Sequence, residues 1–401
     1  MHLHPADDLS TPTRPLSIAA RLWVATGMIN PHFANQVIVE GAGNFNVEQW
    51  RMAVHKASAA NRGARLILRG CLASRRLVDS GLNPPIREVD GSSWDGRGSD
   101  GAPFLKEGLN PRKGPNCEVV LMQGNPARVA FRSHHAIMDG RGTMIWAEDI
   151  FRVLRGEEPL GSEYVMIEND LLNLQKGKWD KPIPRRYIAP TGKADGDAVD
   201  LVWKRKTITG KFPKLLARVM LLTAREAWRC GEGSIRIGVP TDLRQRCKGL
   251  RSTSNLTYAL FIDIPKSATA EWIADEIARR FSGVSDGTIS WENMIRYVPI
   301  RILARAIKSE GLRNGRSGRY RFSGFVSNLG KMDMTVYSCG DFTAHTYFLI
   351  PVCAPILPLS MTLSGSNNII EMLLMMPRNM ATGDRMEAIL DSIGEGLATA
   401  G

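Results

Sequence analysis

The chain has 401 residues, 43% of them hydrophobic and 23% charged, with a formal net charge of +12. That length accommodates two domains or lobes with a large buried core, and the composition is that of a soluble globular protein. No apolar run reaches membrane-spanning length, and the opening Met1-His-Leu-His-Pro-Ala-Asp-Asp8 lacks the basic and apolar regions of a secretory signal, so a cytoplasmic protein without a transmembrane segment is expected.

The first strong element signal is a hairpin. Cys117–Met122 and Ala127–Arg132 are apolar, β-branched runs, and Gln123-Gly-Asn-Pro126 between them is turn chemistry. The second run leads into His134-His135, followed by Asp139-Gly140. A helix is predicted over Thr143–Arg155, with Ala147, Ile150, Phe151 and Leu154 on its buried face, Gly156 as its cap and Pro159 as a stop. Polar residues with Gly and Pro over 161–199 read as a crossover between a first lobe, 1–160, and a second, 200–401. The second lobe opens with a strand at Asp200–Ile208 and a helix near Pro213–Arg229. Strands at Ser234–Arg244 and Leu256–Ile264 and a helix at 269–283 follow. Gly and Ser alternating with basic residues from Gly311 to Gly318 read as a flexible loop, Phe348–Leu357 as an apolar strand and 384–398 as a helix. Strands and helices alternating in this way argue an α/β class, an α+β sandwich.

The chain has only seven histidines, and two stand side by side. In a strand, neighbouring side chains point to opposite faces, so one histidine packs and the other is free to face a cavity. A neutral imidazole, with a reference pKa of about 6.5, can take the proton that an alcohol or amine loses on attacking a thioester. For the bare pair, packing alone is the more ordinary role, since a lone buried histidine is usually a satisfied core residue. Zinc is not expected, because two histidines on opposite faces cannot ligate one ion. The six cysteines, at 71, 117, 230, 247, 339 and 353, form no C-x-x-C pair and read as free thiols.

His134-His135-x-x-x-Asp139-Gly140 resembles the HHxxxDG signature of the condensation-domain and chloramphenicol-acetyltransferase-like acyltransferases. Phe45–Trp50 with Ala53-Val54 and Asn61-Arg62 resembles the family's early helix and the arginine–histidine–proline turn after it, here without the His or Pro. Asn110–Pro115 and Glu148–Gly156 resemble the segments flanking the motif. Ser234–Arg244 resembles the strand ending in valine-proline-x-aspartate-leucine-arginine, and Ser254-Asn255 the glycine-asparagine that follows. Phe325–Gly330 resembles the serine-asparagine-leucine-glycine element of alcohol acyltransferases and wax-ester synthases. The aspartate-phenylalanine-glycine-tryptophan-glycine element of peptide condensation domains is absent.

The resemblance implies two acetyltransferase-like lobes in a V with a tunnel between them. It also implies transfer of an acyl group from a thioester to an alcohol or amine acceptor, without a resident cofactor or metal. His135 would be the general base and His134 structural. Asp139 would pair with Arg244, and Gly140 would keep the tunnel open. Asn255, Ser327 and Asn328 stand as substrate-binding or oxyanion candidates, the last two equally as turn residues.

Basic residues gather at Lys204-Arg-Lys206 with Lys211 and Lys214, at Arg244–Arg251, and at Arg301, Arg305, Lys308, Arg313, Arg316, Arg319 and Arg321. They suit solvated surface, or docking of acyl-coenzyme A or an acidic carrier protein. Nucleic acid is not an expected partner, since the basic clusters lack interleaved aromatics and zinc or recognition-helix motifs. A non-catalytic module recruiting a carrier protein is the alternative reading. No sequence feature sets the oligomeric state, and a monomer suffices.

Overall fold

The computed structural model describes residues 12–30, 33–172, 174–175, 184–283, 287–288 and 291–399. A two-residue strand, β1 (Arg14–Pro15), precedes helix α1 (Ile18–Ile29), whose first turn is capped by Ser17 Oγ accepting from the Ala20 amide at 3.1 Å. Then come β2 (Asn35–Gly43), α2 (Val47–Ala60), β3 (Leu66–Arg69), β4 (Arg76–Asp79) and β5 (Ile86–Asp90). The hairpin expected at 117–132 is present as antiparallel β6 (Cys117–Gln123) and β7 (Ala127–Ser133). Helix α3 (Gly140–Leu154) begins three residues before the expected start, because the Asp139 carboxylate caps it by accepting from the Gly142 amide at 2.7 Å. It ends at Leu154, and Gly156 just beyond it has a φ of +81° that suits glycine.

The chain continues through β8 (Leu174–Gln175), β9 (Leu201–Thr209), α4 (Leu215–Cys230), β10 (Ile235–Asp242), β11 (Thr257–Ile264), α5 (Ala270–Phe281) and β12 (Gly287–Thr288). It closes with α6 (Ile300–Ser317), β13 (Gly324–Met332), β14 (Phe342–Ile350), β15 (Ser360–Ser366), β16 (Ile369–Pro377) and α7 (Arg385–Thr399). Two sheets carry the architecture. One has the order β14-β2-β7-β6-β5 and the other β11-β10-β13-β15-β16-β9.

Alternation along the strands decides what each sheet face meets. In the first sheet Val37 and Val39, Val119 and Leu121, and Val129 and Phe131 pack on the helical side with Trp50, Trp146 and Phe151. In the second sheet Met372, Leu374 and Met376 pack against α4 and α7 through Val219, Met220, Ile389 and Ile393. The intervening residues Ile38, Val120, Ala130, Leu373 and Met375 meet between the sheets with Trp94, Trp203 and Phe348. Helices therefore cover the outer faces while the inner faces share a third core, giving an α/β sandwich of two lobes.

Three expectations change. β14, inside the range assigned to the second lobe, pairs antiparallel with β2 and forms an edge of the first sheet. Its alternation explains this: Tyr347 and Leu349 enter the first core and Phe348 and Ile350 the inter-sheet core. The strand also ends at Ile350 rather than running to Leu357, because Pro351 cannot donate to the ladder. Residues 311–318 are not a loop tip, since α6 runs through Gly311 and Gly315 to Ser317. Those glycines permit close approach: a Cβ would stand 2.6 Å from the Pro355 carbonyl oxygen at Gly311 and 3.0 Å from Ala194 Cβ at Gly315.

Candidate active site

β7 ends at Ser133, so His134 and His135 occupy the turn beyond the strand rather than its two faces. Backbone bonds fix that turn. The His134 amide donates to the Asn116 carbonyl at 2.9 Å, and the His134 carbonyl accepts from the Ile137 amide at 2.8 Å. His134 Nδ1 accepts from the Ala136 amide at 3.1 Å, so its proton sits on Nε2, facing Gly27 of α1. Burial pushes its pKa down to about 3, with the neighbouring His135 acting in the same direction.

His135 has the opposite tautomer. Its Nδ1 lies 3.3 Å from the Met138 carbonyl and donates to it, leaving Nε2 as a free acceptor. The ring lines a cavity of about 1870 Å³ between the lobes, and His134 does not. Burial pushes the His135 pKa down to about 4, against the opposing Asp139 charge and the Met138 bond. The ring is therefore neutral at physiological pH and able to accept a proton.

Asp139 is held by five donors: the Gly142 and Leu256 amides, Thr257 Oγ1 and both terminal nitrogens of Arg244. Burial alone would raise its pKa, but the Arg244 charge and these bonds outweigh it and hold the carboxyl below its usual range. Arg244 also donates to the Ser252 and Ser254 carbonyls and to Asp242. Every guanidinium hydrogen is thereby used, and the motif loop is tied to the second lobe. A second tie runs parallel, with Asp149 of α3 accepting from Arg251 at 2.8 Å and from Asn61 at 2.7 Å.

Gly140 lines the cavity, and a Cβ there would stand 2.9 Å from Leu349 Cδ2. Asn255 also lines it, but its Nδ2 donates to the His135 carbonyl at 2.7 Å, so it braces the loop from the other lobe. Ser327 and Asn328 reach the same cavity from β13. Asn328 Oδ1 accepts from the Gly330 amide at 3.0 Å, a turn contact. The apolar wall includes Phe261, Phe322, Phe325, Leu349 and Leu357.

No protein-family model and no curated protein matches this chain. Solved structures do. The starter condensation domain of rhizomide synthetase, in complex with C8-CoA and Leu-SNAC, aligns over 100% of this chain and 97% of its own, at TM-score 0.65 and 14% identity. The condensation domain of the monacolin K polyketide synthase aligns over 96% and 97%, at TM-score 0.60 and 11% identity. The epimerization domain from the third module of tyrocidine synthetase B aligns over 97% of each chain, at TM-score 0.58 and 13% identity. The chain has the condensation-domain fold.

Within this condensation-domain fold, α1 contributes residues the sequence reading passed over. Trp23 lies against His135 with ring centroids 4.7 Å apart and the rings tilted, and Gly27, one turn on, makes room for His134. The signal was there: Ser17 as a cap before an apolar run with an aromatic and a glycine four residues apart. The three basic clusters, which suited either solvated surface or docking of an acidic donor, meet different fates in the structure. Lys204, Lys206 and Lys214 pair with Glu387, Asp391 and Glu271, and Arg205 is buried with Glu371 and Glu40. Arg244 and Arg251 serve the ties already described. Arg301, Arg305, Lys308 and Arg313 are exposed along α6, without ion pairs among the described residues. Also among the described residues, no helix is long and apolar enough to cross a membrane, and no group of three or more side chains could hold a metal ion.

Proposed function

We propose that the protein transfers an acyl group from a thioester, on coenzyme A or a carrier protein, to an alcohol or amine. The observation that carries this reading is the state of His135, a neutral ring with Nδ1 engaged and Nε2 free, facing an inter-lobe cavity. The acceptor's oxygen or nitrogen attacks the thioester carbonyl while Nε2 takes its proton. The tetrahedral intermediate then expels the thiolate as the C–S bond breaks, and the imidazolium returns the proton to sulfur. No group on the protein is acylated, and the chemistry calls on no resident cofactor.

The apolar wall suits an acyl chain, and a domain of the same fold has been solved with C8-CoA. His134 and Asp139 then serve to shape the loop, and Gly140 to keep the approach to His135 open. The test is thiol release from a panel of acyl-coenzyme A and acyl-carrier donors with amine and alcohol acceptors, for wild type and His135→Ala. Turnover that vanishes in the folded variant supports the reading. Equal turnover in both proteins overturns the assignment of the base, and no turnover with any donor overturns the reaction.

A further inference from the structure

Proton transfer to Nε2 creates an imidazolium in a ring that is 8% exposed. Some group must accommodate that charge. A carboxylate hydrogen-bonded to Nδ1 is the usual arrangement for a histidine base, and here that place is taken by the Met138 carbonyl. Asp139, the nearest acid, has its charge matched by Arg244 and its oxygens filled by five donors. On its own loop the ring otherwise meets His134. From the second lobe, Arg244 and Asp242 act through the Asp139 cluster. Glu168, Glu310, Arg141, Arg296, Arg321 and Lys331 border the same cavity.

What lies against the ring is aromatic. The Trp23 indole is centred 4.7 Å away at an interplanar angle of 35°, and Phe33 lies 6.0 Å away at 54°. Trp23 and Phe33 are themselves stacked at 5.7 Å. The π face of an indole carries partial negative charge and attracts cations more strongly than tyrosine or phenylalanine does. One helix thus sets both histidines by opposite means, an indole beside the ring that must gain charge and a glycine beside the ring that must not move.

We propose that Trp23 is a positioning residue whose indole face holds the His135 ring and stabilises its protonated form, in the role a carboxylate partner commonly fills. The inference rests on reading His135 as the base. A desolvated cation–π contact of this kind corresponds to roughly a thirtyfold change in the imidazolium's stability.

The experiment replaces Trp23 alone with tryptophan carrying one to four fluorines, which drains the π face while keeping the shape. Trp23→Phe and Trp23→Leu are made alongside. The protonation midpoint of His135 is followed by NMR on histidine-labelled protein, its signal assigned by its loss in His135→Ala, and the pH profile of kcat/KM is recorded in parallel. The expected result is a midpoint that moves stepwise to lower pH with each fluorine, with kcat falling more than KM rises. A midpoint unmoved along the series, or moved upward, overturns the proposal. The fluorinated proteins keep the test decisive if Trp23→Leu fails to fold. A midpoint that shifts in a protein without turnover supports the ring contact and sinks the acyl-transfer reading, so the two fail separately.

Discussion

Asn255, on the second lobe, donates an Nδ2 hydrogen to the backbone carbonyl of His135, on the first, at 2.7 Å. The carbonyl belongs to a turn whose geometry aims the His135 ring, so this bond makes that aim depend on how the lobes sit together. Asn255→Ala leaves the carbonyl without its partner, at a cost of about 1–3 kcal/mol. The expected outcome is a loss of that size in urea denaturation and a fall in kcat larger than the change in KM. Asn255→Asp turns a carboxylate toward the carbonyl and should be worse on both counts.

Arg244 and Asp139 are both nearly excluded from solvent, and each answers the other's charge. Removing one leaves a buried ion alone. Arg244→Met is expected to cost about 3–5 kcal/mol in denaturant unfolding. Arg244→Lys should recover little, because an ammonium cannot reproduce a fork that reaches both Asp139 oxygens and the Ser252 and Ser254 carbonyls.

Gly140 and Gly142 stand two residues apart at the start of α3 and should answer differently to one methyl group. At Gly140 the new Cβ meets the tip of the Leu349 side chain, which can turn away into the cavity. At Gly142 it meets the Thr253 carbonyl oxygen at 2.6 Å, which cannot. Gly142→Ala is therefore expected to destabilise by about 1–3 kcal/mol. Gly140→Ala should shift thermal unfolding little while lowering turnover of bulky substrates, measured across acyl donors of increasing size.

Both histidines make the fold acid-sensitive. Unfolded, each takes a proton near its ordinary value of about 6.5. Folded, His135 does so only near 4 and His134 near 3. Through that window the unfolded state binds more protons, so their contribution is complete above pH 6.5 and is lost as the pH falls toward the folded values. At most, the loss is on the order of 3 kcal/mol for His135 and on the order of 5 kcal/mol for His134. In urea denaturation at a series of pH values, His135→Leu should show a shallower decline between pH 6.5 and 4 than wild type. An identical slope would show that His135 is not buried in its neutral form.

Periodicity and turn chemistry made much of this fold legible in advance. The hairpin with its helix α3, β9 with α4, and α5 and α7 stand within a few residues of where patterning puts them, because each buries one regular face. The failures were tertiary. Glycines at 311 and 315 read as flexibility, whereas they mark contacts too close for a Cβ, and no local pattern carries that information. The mixed pairing of β14 depends on where its two faces find partners 300 residues earlier in the chain, which alternation along one strand cannot specify. At the site, the histidine loop and Arg244 were nameable from motif residues. Asn255 is in contact with the loop through a bond that braces the backbone, a role invisible without the lobe arrangement. Trp23 carries no motif value of its own in the sequence reading, and only the approach of α1 gives it a neighbour.

β14 has a consequence for how the protein comes into being. Its nine residues, Phe342–Ile350, cover the free edge of β2 in the first sheet. On the ribosome, β2, β6 and β7 are complete some two hundred residues before that strand is made, and β2 must wait with its backbone hydrogen-bonding groups uncovered. The amino-terminal half is thus not a finished unit that the rest of the chain docks onto. Cutting the gene at the crossover would yield a fragment with an adhesive edge, and the missing strand supplied in trans as a peptide would be its natural plug.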